Sequence, residues 1–317
     1  MSMRKAVFSL LNEIIKFVKS DFHFVSYLYT FVFIAASIYF NYTEGFYWNI
    51  IRNSYFEGNS TWVFPLFYAS VYFAVAIPTF IFRKDFSALK HWSFYVRALF
   101  FIGIYGFSIG FYSYRGMEFP SLFDEEAKFI IRILSQLKSL FFYFIPLILL
   151  KKFVDKKTEG LYGLSKNTEY IKGYFSLFLM LLPFLVVMSF TPDFQSAYPQ
   201  FKPWLFDGIF GLKTWQYTSL FELSYAIDFV MTELLFRGAL VIGMVAVLGR
   251  KAILPMVAMY VCVHFGKPLG ETISSVFGGF MLGALAYQTR HIWGGVIVHI
   301  LIALSMEIMG IIHFYNH

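Results

Sequence analysis

An all-α fold, a polytopic transmembrane bundle of about nine spans, is what this sequence predicts. Three observations lead there. The 317 residues are 58% hydrophobic and 22% aromatic but only 14% charged, with a mean hydropathy of +0.63, too apolar for an ordinary water-soluble domain. Apolar segments of about 20 residues, the length that crosses a bilayer, recur along the chain. Lysine and arginine fall in short runs between these segments and form no contiguous patch, so the net charge of +7 reads as a topology signal and excludes a nucleic-acid surface.

In chain order, residues 1–21 carry Val7, Phe8, Leu11, Ile14, Ile15 and Val18 at helical spacing with lysine and glutamate between them. That is an amphipathic helix lying at the membrane surface, not a cleavable signal peptide. Residues 22–190 form an aromatic-rich transmembrane region with spans near 24–41, 62–82, 93–113, 131–150 and 173–190. Pro192, Pro199 and Pro203 among polar residues mark 191–215 as an outer loop and linker. Residues 216–317 hold spans near 219–248, 252–266, 271–288 and 293–312, the first longer than one crossing requires. No internal repeat is visible.

Orientation follows from the basic loops. Arg4, Lys5, Lys16 and Lys19 precede the first span, Arg83, Lys84 and Lys90 follow the second, and Lys151, Lys152, Lys156 and Lys157 follow the fourth. All are predicted to be cytoplasmic, with Arg250, Lys251 and Arg290 on the same side and Asp124, Glu125 and Glu126 opposite. The N-terminus is then inside and the C-terminus, His317, outside. A single cysteine, Cys262, excludes an intramolecular disulfide framework and a cysteine-rich metal site.

Nearly all the intramembrane ionisable groups lie in the last region. Such groups cost about 2.5–3.5 kcal/mol each on insertion scales, which makes them functional candidates. Glu233 and Arg237 stand at i and i+4 on one helix face and can pair. His264 ends one apolar segment, and His299 sits inside the last, where a lipid-facing imidazole would lack partners. One acid, one guanidinium and two histidines on successive helices can converge, although the span count puts the two histidines nearer opposite surfaces, so convergence requires tilt or a broken helix. Ser275, Gly279 and Gly283, four residues apart, give a smooth face for helix packing. Cys262 lies two positions from His264 and points elsewhere. Two histidines with Glu233 suggest zinc, but no H-E-x-x-H or similar pattern is present, so no metal or other cofactor is expected.

Three short motifs on consecutive spans carry a family resemblance. Thr232-Glu233-Leu234-Leu235-Phe236-Arg237-Gly238 resembles E-E-x-x-x-R-G, Tyr260 to His264 resembles aromatic-x-x-x-H, and His299 to Ala303 resembles H-x-x-x-N. In that order they are similar to the CAAX protease and bacteriocin-processing family of intramembrane proteases, also called Abi. The likeness covers about residues 219–312. The surrounding runs His264 to Glu271 and Thr289 to Gly295 look like an uncharacterised bacterial branch, which implies a multi-pass protein of the bacterial cytoplasmic membrane.

The resemblance implies hydrolysis of peptide bonds in membrane-associated proteins or peptides, with water activated by a glutamate and a histidine and an oxyanion held by a histidine and an asparagine. Residue by residue, Glu233 and Arg237 match the second Glu and the Arg, His264 assists the water, and His299 faces the oxyanion. Two positions depart from the pattern: the first glutamate is Thr232 and the asparagine is Ala303. Thr232 accepts no proton at neutral pH and Ala303 donates no hydrogen bond. Asp228, one turn before Thr232, and Glu307, eight residues after His299, are candidate replacement carboxylates, as is Glu233 itself. The alternative is a catalytically inactive member that binds a partner membrane protein. A coupled transporter would show inverted repeats and interrupted helices, which the sequence lacks.

Overall fold

The computed structural model describes residues 3–156, 160–206 and 208–316. Lys157 and His317, which bear on the predicted orientation, lie outside them, as does the side chain of Arg4. The long helices are α1 (Met3–Asp21), α2 (Phe24–Glu44), α3 (Ser60–Phe82), α4 (Trp92–Gly110), α5 (Asp124–Ser139), α6 (Ile145–Phe153), α7 (Ile171–Met188), α8 (Thr214–Glu233), α9 (Ile253–Val263), α10 (Leu269–Thr289) and α11 (Trp293–Asn316). The sequence sets their ends by ordinary means. Asp124, Glu125 and Glu126 fill the first turn of α5 and favour its positive dipole end, and the Glu126 carboxylate accepts the Phe123 N–H at 3.2 Å. Gly45 closes α2 in the left-handed conformation, at φ 63°.

Among the described residues, eight segments are long and apolar enough to cross a membrane, and one of them, Thr214–Val263, has 50 residues. It is not one rod. A π-helical turn, Leu234–Ala239, ends the α8 run, and irregular chain with short 3₁₀ turns leads to α9. On a continuous helix Arg237 and Tyr260 would lie roughly 35 Å apart. Here the Arg237 guanidinium carbon lies 4.2 Å from the centre of the Tyr260 ring, so the chain folds back. The predicted spans 219–248 and 252–266 are the two limbs of this hairpin.

The loops gather at two ends. At one, Arg83 holds Asp21 with both guanidinium nitrogens (2.8 and 3.1 Å), Lys251 pairs with Asp85, Arg97 pairs with Asp155, and Arg250 donates to the Ser20 carbonyl at 2.9 Å. The Lys251 ammonium beside Asp85 holds its carboxyl below the ordinary carboxylate range. At the other, Tyr42 donates to the Lys267 carbonyl (2.6 Å), Tyr198 to Glu271 (2.8 Å), and Glu126 accepts the Phe210 N–H (2.8 Å). The basic loops therefore share one end, and the 124–126 cluster belongs to the other. At the basic end α1 is docked on the bundle. Ala6, Leu10 and Phe17 are buried against α7 and α10, while Phe8 and Ile15 face outward at 57% and 48% exposure.

Close backbone approach positions the centre. Every residue of α9 from Ile253 to Cys262 is buried. Its neighbour α10 presents the small-residue face: a Cβ on Gly279 would stand 2.9 Å from the Tyr260 ring, and one on Gly283 would stand 2.5 Å from the Met256 methyl. One apolar cluster joins Phe64, Tyr68, Tyr72, Phe94 and Phe101 of the aromatic-rich region to Leu234, Phe236, Met256 and Tyr260.

Candidate active site

The site lies where α8 crosses α11. Phe221, Tyr225, Phe229, Glu233 and Arg237 recur every four residues on α8 and its π turn, and so share one face. The facing row of α11 is Gly295, His299, Ala303 and Glu307, again four apart. Phe221, Tyr225 and Ala303 pack in one cluster with Phe201, and the Phe229 ring lies 4.5 Å from the His299 ring. One turn further on, the apolar row gives way to charge. The Glu233 Oε1 lies 3.0 Å from His299 Nδ1 and 2.8 Å from an Arg237 Nη1.

Glu233 and Arg237 are both 0% exposed, a burial that demands compensation. Arg237 supplies the opposite charge, but among the described residues none of its guanidinium N–H groups is aligned for a hydrogen bond, so the pair is a charge–charge contact. The other face of the guanidinium lies over the Tyr260 ring, a cation–π arrangement that suits a desolvated cation. Glu233 Oε2 makes no hydrogen bond among the described residues and fills the space that Gly295 leaves. A Cβ at Gly295 would stand 2.2 Å from it.

Tyr260 stands between the two imidazoles, its ring 4.8 Å from that of His264 and 6.3 Å from that of His299. Convergence comes from the broken helix: α9 has 11 residues, about 16 Å of rise, and stops short of a full crossing. His264 therefore caps α9 beside the polar centre. Hydrogen bonding assigns both tautomers. His264 Nδ1 meets the Tyr260 carbonyl at 2.8 Å, and a carbonyl only accepts, so Nδ1 carries the proton and Nε2 keeps its lone pair. His299 Nδ1 donates in the same way to Glu233, which turns its Nε2 toward the Tyr260 hydroxyl at 3.4 Å.

Glu233, Arg237 and His299 thus meet directly, and His264 joins through Tyr260. The remaining candidates lie elsewhere. Asp228 faces Ser139 and Lys138 of α5, on the side of the aromatic-rich region. Glu307 accepts the backbone N–H groups of Gln200 (2.9 Å) and Phe201 (3.3 Å), and so pins the chain before α8 to α11. The partners of both carboxylates are thus other than Glu233 and the two histidines. Thr232 is half-buried one position before Glu233, and Ala303 is buried in an apolar cluster with Phe201, Phe221 and Tyr225. Tyr260, the aromatic residue of the second motif, carried no assigned role in the sequence, and Gly295 was not singled out at all. The signal for Tyr260 was a phenol one turn before His264, and for Gly295 a small residue one turn before His299. Among the described residues, no three His, Cys, Asp or Glu side chains group as metal ligands.

The helices that build this centre coincide with a known domain. The family model described as type II CAAX prenyl endopeptidase Rce1-like matches residues 214–305, under a third of the chain, from the start of α8 past His299. No curated protein and no solved structure matches the chain significantly. The protein is thus a polytopic helical membrane protein in which residues 214–305 are similar to the Rce1-like CAAX endopeptidase family.

Proposed function

We propose that the protein is an intramembrane endopeptidase that hydrolyses peptide bonds of membrane-associated proteins or peptides. The carrying observation is the Glu233–His299 contact of 3.0 Å between two helices, beside a buried Arg237 and one tyrosine away from a second imidazole. Structural ion pairs rarely need two histidines in defined tautomers, whereas hydrolysis needs a proton acceptor and a fixed polar frame. Glu233 is poorly placed to touch water, since Oε1 is engaged and Oε2 is sealed against Gly295. The His264 Nε2 lone pair is the acceptor for the water proton, and Glu233 with Arg237 fixes the orientation of His299. On the same reading the basic end is cytoplasmic, with the N-terminus inside, and the membrane is the bacterial cytoplasmic one.

Thr232 and Ala303 favour a second reading, in which the domain binds a membrane protein without cleaving it. One experiment separates the two. The full chain is reconstituted in vesicles with a farnesylated CAAX peptide and, separately, an unprenylated single-span peptide. Hydrolysis that falls at least a hundredfold in Glu233→Gln supports the peptidase. Peptide retained by the wild type but cleaved no faster than by the variant supports the binding protein.

A further inference from the structure

Oxyanion stabilisation is the part of this chemistry for which the sequence offers the least. Ala303 has no donor, and in the tautomer that gives only its Nδ1 proton to Glu233, His299 presents a lone pair at Nε2, which repels a developing negative oxygen. One hydroxyl lies at that lone pair. The Tyr260 Oη is 3.4 Å from His299 Nε2, its ring is held by the Arg237 guanidinium on one side, and the free Nε2 of His264 belongs to the adjacent ring. We propose that the Tyr260 hydroxyl is the oxyanion donor of this site, occupying in function the place that Ala303 leaves empty.

This assignment rests on the peptidase reading. In it, the oxygen of water bonds to the peptide carbonyl carbon while one water proton passes to His264 Nε2. The carbonyl π pair moves to oxygen, and the Tyr260 O–H turns from His299 Nε2 to that oxygen without giving up its proton. On collapse the carbonyl re-forms, the C–N bond breaks, and the proton on His264 goes to the departing amine. His299 is then a positioning residue, its lone pair aiming the hydroxyl in the resting protein. The 3.4 Å separation is long for a hydroxyl donor, which leaves the O–H free to turn at small cost. Arg237 over the ring face keeps the phenol from swinging out of line.

The test is Tyr260→Phe in the reconstituted full chain, with the farnesylated and single-span peptides as probes and Glu233→Gln in parallel. The expected result is a fall in kcat of about a hundredfold with KM within twofold, the mark of a donor used only in the transition state. If Tyr260→Phe keeps kcat within twofold while Glu233→Gln abolishes cleavage, the Tyr260 assignment fails and the peptidase reading stands. If wild type cleaves no faster than Glu233→Gln, the peptidase reading fails and the assignment falls with it. Should Tyr260→Phe not fold, 3-fluorotyrosine at position 260 keeps the shape and strengthens the donor. A raised kcat then supports the role and an unchanged one overturns it.

Discussion

The aromatic-rich helices and the hairpin-containing helices solve the same problem, a polar group in an apolar setting, in opposite ways. In the first region Arg83 meets Asp21 and Arg97 meets Asp155 at the bundle's basic end, and the interior is mostly ring against ring, with Lys138 turned toward Asp228 of α8. In the second, Glu233 and Arg237 are fully buried at the centre and lean on Tyr260 and His299. End-placed pairs fasten loops. A central pair with two imidazoles carries a cost that packing does not explain, and the proposed chemistry rests on that difference.

The comparison breaks first at Arg237. Arg237→Met leaves Glu233 as an uncompensated buried charge, and removing one partner of such a pair costs about 3–5 kcal/mol. Thermal denaturation in detergent micelles, followed by tryptophan fluorescence, should show a larger drop than for Asp21→Asn, Gly106→Ala or Gly295→Ala. The double variant Glu233→Gln with Arg237→Met should recover much of it. Absence of recovery would mean that the guanidinium stabilises mainly through Tyr260. A smaller loss belongs to the end-placed pairs. Asp21→Asn weakens the two charge-assisted hydrogen bonds from Arg83, worth about 1.5–3 kcal/mol. It should leave peptide hydrolysis by the folded fraction unchanged, which a rate corrected for folded protein checks.

The two regions were unequally legible in the sequence. Span existence followed from apolar length, and the nine predicted segments correspond to α2 through α11, the fourth running through α5 and α6. Glu233 and Arg237 were legible as a pair because i+4 spacing fixes a shared face before any fold is known, and His299 because an imidazole inside an apolar span needs a polar partner. The closeness of His264 was not, since it depends on α9 stopping after 11 residues and on where irregular chain restarts the helix. Asp228 illustrates the limit of helical phase. Four residues before Thr232 it shares that residue's face, yet α5 packs on that side and turns the carboxylate toward Lys138 and Ser139. Glu307 shows the same limit, because its partners are the backbone amides of Gln200 and Phe201, which no periodicity announces.

Two glycines sharpen the comparison most finely, since the same added methyl meets backbone in one region and a carboxylate in the other. A Cβ on Gly106 would stand 2.4 Å from the Pro65 Cα, where α4 crosses α3. A Cβ on Gly295 would stand 2.2 Å from Glu233 Oε2. Each alanine overpacks its site, at about 1–3 kcal/mol. The consequences for function differ, because Pro65 transmits the strain to an aromatic interface while Glu233 transmits it to His299. Gly106→Ala should lower thermal stability and leave the kcat of folded protein near that of wild type. Gly295→Ala should lower kcat by tenfold or more, since a displacement of about 1 Å at a catalytic constellation costs up to a hundredfold. Equal kcat in the two alanine variants would place the chemistry away from the α8–α11 crossing.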